Sequence, residues 1–164
     1  MSMRKTALVL AAALAVIAVT AGCHTQAPNP PDFGYARGPE GGLVIAYPIC
    51  PGDTVSGAEI YADDDDFTTL WKARGPRSAE TAQGFFDLGS DADFAKEEQP
   101  LRGKLPDGFY VTVFEEADGK EEEGRDGWID LSRLEGARLG EGEFMTHTGK
   151  VMTRTDINAQ LSCS

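Results

Sequence analysis

Phe109-Tyr110-Val111-Thr112-Val113-Phe114 is the stretch from which the fold class is read. β-Branched and aromatic residues fill it, as a pleated, half-buried strand requires. Period-two alternation puts Phe109, Val111 and Val113 on one face and Tyr110 and Phe114 on the other. Pro106-Asp107-Gly108 introduces the strand by a turn. Downstream, Asp118-Gly119 and the Glu-rich stretch to Gly124 read as a solvated loop. Residues 127–131 form the next strand, with Trp128 and Ile129.

Outward from this pair the chain keeps alternating short apolar runs and turns. Residues 43–47 read as a strand stopped by Pro48 and Pro51. Residues 54–61 alternate, with Val55, Gly57 and Glu59 expected on one face and Ser56, Ala58 and Ile60 on the other. Asp63-Asp64-Asp65-Asp66 is a turn by composition. Strands are expected at 67–72 and 81–88, with a short edge strand at 101–103 and a hairpin between 144 and 152 around Thr148-Gly149. Residues 155–161 are the helix candidate, with Asp156 as cap and Ile157 and Leu161 spaced i, i+4. The fold class is therefore mainly β, a two-sheet sandwich with a short C-terminal helix. A small α+β domain is the alternative. Residues 105–110 resemble the approach to a late core strand in immunoglobulin- or fibronectin-like domains, which implies an immunoglobulin-like sandwich.

The N-terminus reads as an address. Arg4 and Lys5 precede an unbroken apolar run from Ala7 to Val19. That run is shorter than the roughly 20 residues of a comfortable span and fits a secretory signal peptide. It ends in Val19-Thr20-Ala21-Gly22-Cys23, which resembles the lipobox of bacterial lipoproteins. Ala21, Gly22 and Cys23 match that pattern; Thr20 stands where Leu is preferred. The resemblance implies that residues 1–22 are a signal peptide and that Cys23 is lipidated and becomes the new N-terminus. It implies an extracytoplasmic protein, lipid-anchored to the cell membrane, on the outer face of the cytoplasmic membrane in a Gram-positive host. Residues 23–41 are rich in Pro and Gly and are expected to be a tether. The globular domain is then expected to occupy residues 42–164.

Formal net charge is −12 over 164 residues, and losing Arg4 and Lys5 with the leader takes it to −14. Such a surface lacks the basic footprint of nucleic-acid binding. Of three cysteines, Cys50 and Cys163 are left once Cys23 is lipidated. A pair outside the cytoplasm is expected to form a disulfide.

Reactive constellations are absent from the sequence. There is no G-x-S-x-G, no H-E-x-x-H and no phosphate loop. His147 falls in the hairpin turn. Calcium is the one cofactor left open, because hard cations take clustered carboxylates. Its candidates are Asp63, Asp64, Asp65 and Asp66, although an EF-hand register fails there because Phe67 takes a ligand position. Trp71 and Trp128 are expected in the core. Phe85 and Phe86 are candidate exposed binding aromatics, and as strand neighbours they point oppositely. The expected function is a non-enzymatic binding or accessory domain of the cell envelope, with an envelope protein or glycan as partner. The alternative is a carboxylate-dependent envelope hydrolase or sugar-active enzyme.

Overall fold

The computed structural model describes residues 30–163. The chain forms β1 (Gly34–Arg37), β2 (Leu43–Ala46), β3 (Thr54–Ala62), β4 (Thr69–Pro76), α1 (Ala79–Ala82) and β5 (Phe85–Leu88). It continues with β6 (Phe94–Gln99), β7 (Gly108–Ala117), β8 (Lys120–Asp130), β9 (Glu143–Met145), β10 (Val151–Thr153) and α2 (Arg154–Asn158). Two five-stranded sheets result, ordered β10-β9-β1-β2-β5 and β6-β4-β3-β7-β8. Every strand pairing in them is antiparallel.

Their inner faces share one core. Tyr35, Ile45 and Phe86 from the first sheet meet Ile60, Trp71, Phe109, Val111, Val113 and Ile129 from the second. The split expected within β7 holds, since Phe109, Val111 and Val113 are buried while Tyr110 and Phe114 are half-buried. Trp71 is fully buried, and its indole N–H donates to Glu97 at 2.9 Å, so burial leaves no polar atom unmatched.

Several expectations need correction. The tether does not extend to Gly41, because β1 lies inside residues 23–41 and the sandwich begins near residue 31. Phe33 and Tyr35 are buried there, at 1% and 0% exposure. Two aromatic side chains carry enough apolar area to draw this Gly/Pro-rich chain into the core. Residues 23–29, Cys23 among them, lie outside the described residues, as does the leader.

In β3 a bulge between Val55 and Gly57 inserts a residue against β7. It resets the alternation, so Val55, Ala58 and Ile60 are buried facing the core and Glu59 lies opposite Thr112 on the outer face. Residues 81–88 are not one strand. Ser78 caps α1, and Phe85–Leu88 alone is extended. The expected edge strand at 101–103 is absent, and β6 stands at the edge instead. Its sequence, Phe94-Ala-Lys-Glu-Glu-Gln, needs only Phe94 buried, because an edge strand is free to be charged. The Glu-rich stretch after Gly119 is strand rather than loop. Asp118 and Gly119, at φ 53° and 72°, form the two-residue turn between Ala117 and Lys120.

The terminal helix is also displaced. Thr153 caps α2, and Asp156 sits at the third helical position, completing a capping box. Ile157 seals a second apolar cluster with Ala46 and Phe144 on the outer face of the first sheet. Cys50 and Cys163 are bonded, with Cα atoms 5.6 Å apart across 113 residues of sequence. The pair joins the turn after β2 to the segment after α2.

Candidate functional site

The outer face of the second sheet carries two adjoining sets of side chains, one aromatic and one polar. Tyr61 on β3 pairs with Tyr110 on β7, and Tyr110 pairs with Trp128 on β8. The register alone therefore lines up three aromatic residues across three strands. Tyr110 and Trp128 have ring centroids 4.8 Å apart at an interplanar angle of 60°. Phe67 extends the row from the β3–β4 turn, 6.3 Å from Tyr110 and inclined at 56°. Phe67 is 59% exposed, the most exposed large apolar side chain among the described residues.

Phe67 is also held in a backbone conformation that aromatic residues rarely adopt, with φ at 47°. The preceding acidic run builds the turn that holds it. The Phe67 amide donates to the Asp64 carbonyl, and the Asp64 carboxylate accepts from the Thr68 amide at 2.8 Å. That amide bond to its charged form holds the Asp64 carboxyl below the ordinary carboxylate range. Asp63, Asp65 and Asp66 are exposed. Among the described residues, no three His, Cys, Asp or Glu side chains are gathered around a point that could hold a metal. The run expected as a calcium candidate thus has a visible mechanical role: Asp64 shapes the turn and Phe67 is presented by it.

Beside the aromatic row lies the polar set. Glu59 is only 6% exposed, so its charge needs partners. Lys72 approaches it at 2.9 Å, and the Thr69 hydroxyl donates to it at 2.7 Å. The buried Thr112 hydroxyl donates to the Asp126 carboxylate. Burial, and then the Glu59 charge, push the Tyr61 hydroxyl above its ordinary pKa. Further along the same face, Arg74 lies over the Phe114 ring at 3.9 Å and pairs with Glu121. The hydrogen bond from Arg74, with a second from Ser56, holds the Glu121 carboxyl below its usual range. The face is thus a row of rings, Phe67 exposed and Tyr61, Tyr110 and Trp128 half-buried, bordered by acids that pair with Lys72, Arg74 and neighbouring hydroxyls.

The aromatics singled out from sequence separate as neighbours in a strand must. Phe86 is 1% exposed and belongs to the core, so it is no binding residue. Phe85 is 37% exposed and stacks edge-on against Phe144 at 6.0 Å on the outer face of the first sheet. It lines a shallow groove of about 550 Å³ with Val44, Leu134, Leu139 and Phe144. Trp128, expected in the core, is half-buried on the outer face of the second sheet. Phe67 and Tyr61 were not anticipated at all. The available signal was the outward set of the deciding strand: once Phe109, Val111 and Val113 face inward, Tyr110 must face outward.

His147 meets an acid but forms no nucleophilic triad. Its Nδ1 lies 2.8 Å from Asp32, an acid at the start of the domain. The nearby Thr148 hydroxyl donates to the same Asp32, also at 2.8 Å. A triad needs the hydroxyl on the imidazole, and here it is spent on the carboxylate. Gln160 brackets the Asp32 backbone with two further hydrogen bonds. The cluster therefore ties the start of the domain to its end. No family model, curated protein or solved structure matches the chain.

Proposed function

We propose that this chain is an extracytoplasmic lipoprotein, anchored through Cys23, whose sandwich domain binds a component of the cell envelope without catalysing a reaction. The leader and Cys23 support the address. The row Phe67-Tyr110-Trp128 carries the binding assignment. A soluble domain has little reason to leave a Phe 59% exposed in a conformation disfavoured for its side chain unless that ring is used. A lipid anchor frees the domain from any duty to bind the bilayer, because a cysteine carrying more than one acyl chain is held stably by itself. The outer face of the second sheet is then available for a partner.

Two substitutions test the two halves of this reading. Cys23→Ala is expected to release the protein from the membrane fraction. Continued membrane association of the unprocessed chain would contradict the anchor. Phe67→Ala combined with Trp128→Ala is expected to leave anchoring intact and to abolish retention of detergent-extracted protein on washed cell envelopes. Unchanged retention would remove the binding face.

A further inference from the structure

On the reading that the outer face of the second sheet binds, we infer that its ligand is an uncharged, single-stranded glycan laid across β3, β7 and β8. The argument begins with charge. The β4 cations on this face are engaged, Lys72 with Glu59 and Arg74 with Glu121, while Lys96 on the edge strand β6 is 73% exposed in a surface pair with Glu98. Among the described residues, an anionic polymer, whether nucleic acid or a phosphate- or uronate-rich glycan, would have to break the β4 ion pairs to reach Lys72 or Arg74. It would meet a chain of formal net charge −12 and four consecutive Asp residues beside Phe67. The buried acid Glu59 and the exposed Asp126 are occupied as well. Glu59 has Lys72 and Thr69, and Asp126 has Thr112. A cationic peptide would therefore have to displace existing partners.

What remains on offer is apolar ring surface, together with carboxylate and hydroxyl oxygens that can still accept hydrogen bonds. That pairing suits a neutral polyol. The carbon-bound hydrogens on one face of a pyranose stack on an aromatic ring, and its edge hydroxyls donate to flanking oxygens. Ring inclination narrows the class further. Planes tilted by 56° and 60° make no flat shelf, so the ordered surface of an insoluble polysaccharide cannot lie on them together. A single chain, which can twist from ring to ring, can. Phe67 at the strained turn and Trp128 on the edge strand mark the two ends of the track.

The test uses the full chain in a polyoxyethylene detergent, which has no sugar head group to compete. Soluble oligomers of N-acetylglucosamine, β-linked glucose and mannose are titrated by calorimetry and by tryptophan emission. Trp71 is fully buried, so an emission change reports Trp128. At least one neutral oligomer is expected to bind, with the same affinity at low and high salt. Phe67→Ala and Trp128→Ala are each expected to weaken binding about 2- to 10-fold while melting behaviour confirms the fold. Three outcomes overturn the inference: binding of none of the neutral oligomers, salt-sensitive binding of an arginine- and lysine-rich peptide in their place, or binding only to insoluble polysaccharide. If the oligomers fail while the double alanine variant still loses envelope retention, the face stands and the glycan assignment falls. If retention also survives, both fall.

Discussion

The Trp128 indole lies over the Gly108 backbone: a Cβ built on the glycine would come within 2.5 Å of the indole Cζ2 and 2.7 Å of Cη2. The two residues sit at the start of β7 and the end of β8, so the indole covers backbone that any other residue would fill. Gly108→Ala is expected to push Trp128 off its seat and separate it from Tyr110. The cost should be in the range of about 1–3 kcal/mol seen for overpacking. Urea unfolding should show it as a lower midpoint with an unchanged slope. A red-shifted emission would show that the indole has moved outward.

Phe67 should behave in the opposite sense. At φ 47° a side chain crowds its own backbone, a strain of about 1–2 kcal/mol that glycine does not feel. Phe67→Gly is therefore expected to raise stability by about 1 kcal/mol, offset in part by the flexibility glycine adds to the unfolded chain. Thermal melting of Phe67→Gly beside Phe67→Ala checks this, because alanine loses the ring and keeps the strain. Equal melting temperatures for the two variants would argue against strain at this position.

Some of this architecture was legible and some was hidden, for identifiable reasons. The strand around Val111 announces itself because both its faces are apolar, and Cys50 with Cys163 could be paired by counting. Residues 120–126 were unreadable as strand because an edge needs no apolar residues on its solvent side. The ladder to β7, from Ala117↔Lys120 onward, holds them through backbone bonds. The faces of β3 could not be assigned from alternation, since one inserted residue at the bulge reverses the parity beyond it. Phe67 was missed for a related reason. Four aspartates mark a turn, and nothing local says that the turn exists to present the ring that follows. Its partner Tyr110 is 43 positions away, and only the β3–β7 pairing brings them together.

The Cys50–Cys163 bond should carry a large share of the stability of the domain. It closes nearly the whole sandwich, across 113 residues. The chain-entropy account of a loop that long gives up to about 5 kcal/mol, with removal of native bridges costing about 2–5 kcal/mol. Cys50→Ser with Cys163→Ser is expected to lower the melting temperature sharply, and dithiothreitol should reproduce that shift in the native chain and not in the variant. Local fraying comes first, because Asn158 on α2 accepts from the Ile49 amide beside the bridge. Hydrogen exchange should then rise in residues 154–161 before it rises in β7. Uniform exchange across both segments would show the bridge acting only on the unfolded chain.

Tyr35 sets an alkaline limit. Burial first, with the Asp130 and Asp32 charges adding to it, pushes its hydroxyl from 10.0 up to about 12, while the bond it donates to the Asp130 carbonyl acts within a fully buried site. The folded protein thus keeps the proton where the unfolded chain has lost it. The stabilisation linked to this group is complete below pH 10 and is lost as pH rises from 10 to about 12. Over that window it amounts to a loss on the order of 3 kcal/mol. Tyr47 is displaced in the same direction, by burial and then by its hydrogen bond with Glu115, and adds to the trend. Tyr35→Phe removes one of these ionisations and one buried hydrogen bond. At neutral pH it is expected to cost about 1 kcal/mol. Between pH 10 and 12 its stability should fall less steeply than that of the native protein, so the two curves converge and then cross. Urea midpoints collected at intervals across that range decide the matter, and parallel curves would show that the alkaline transition has another source.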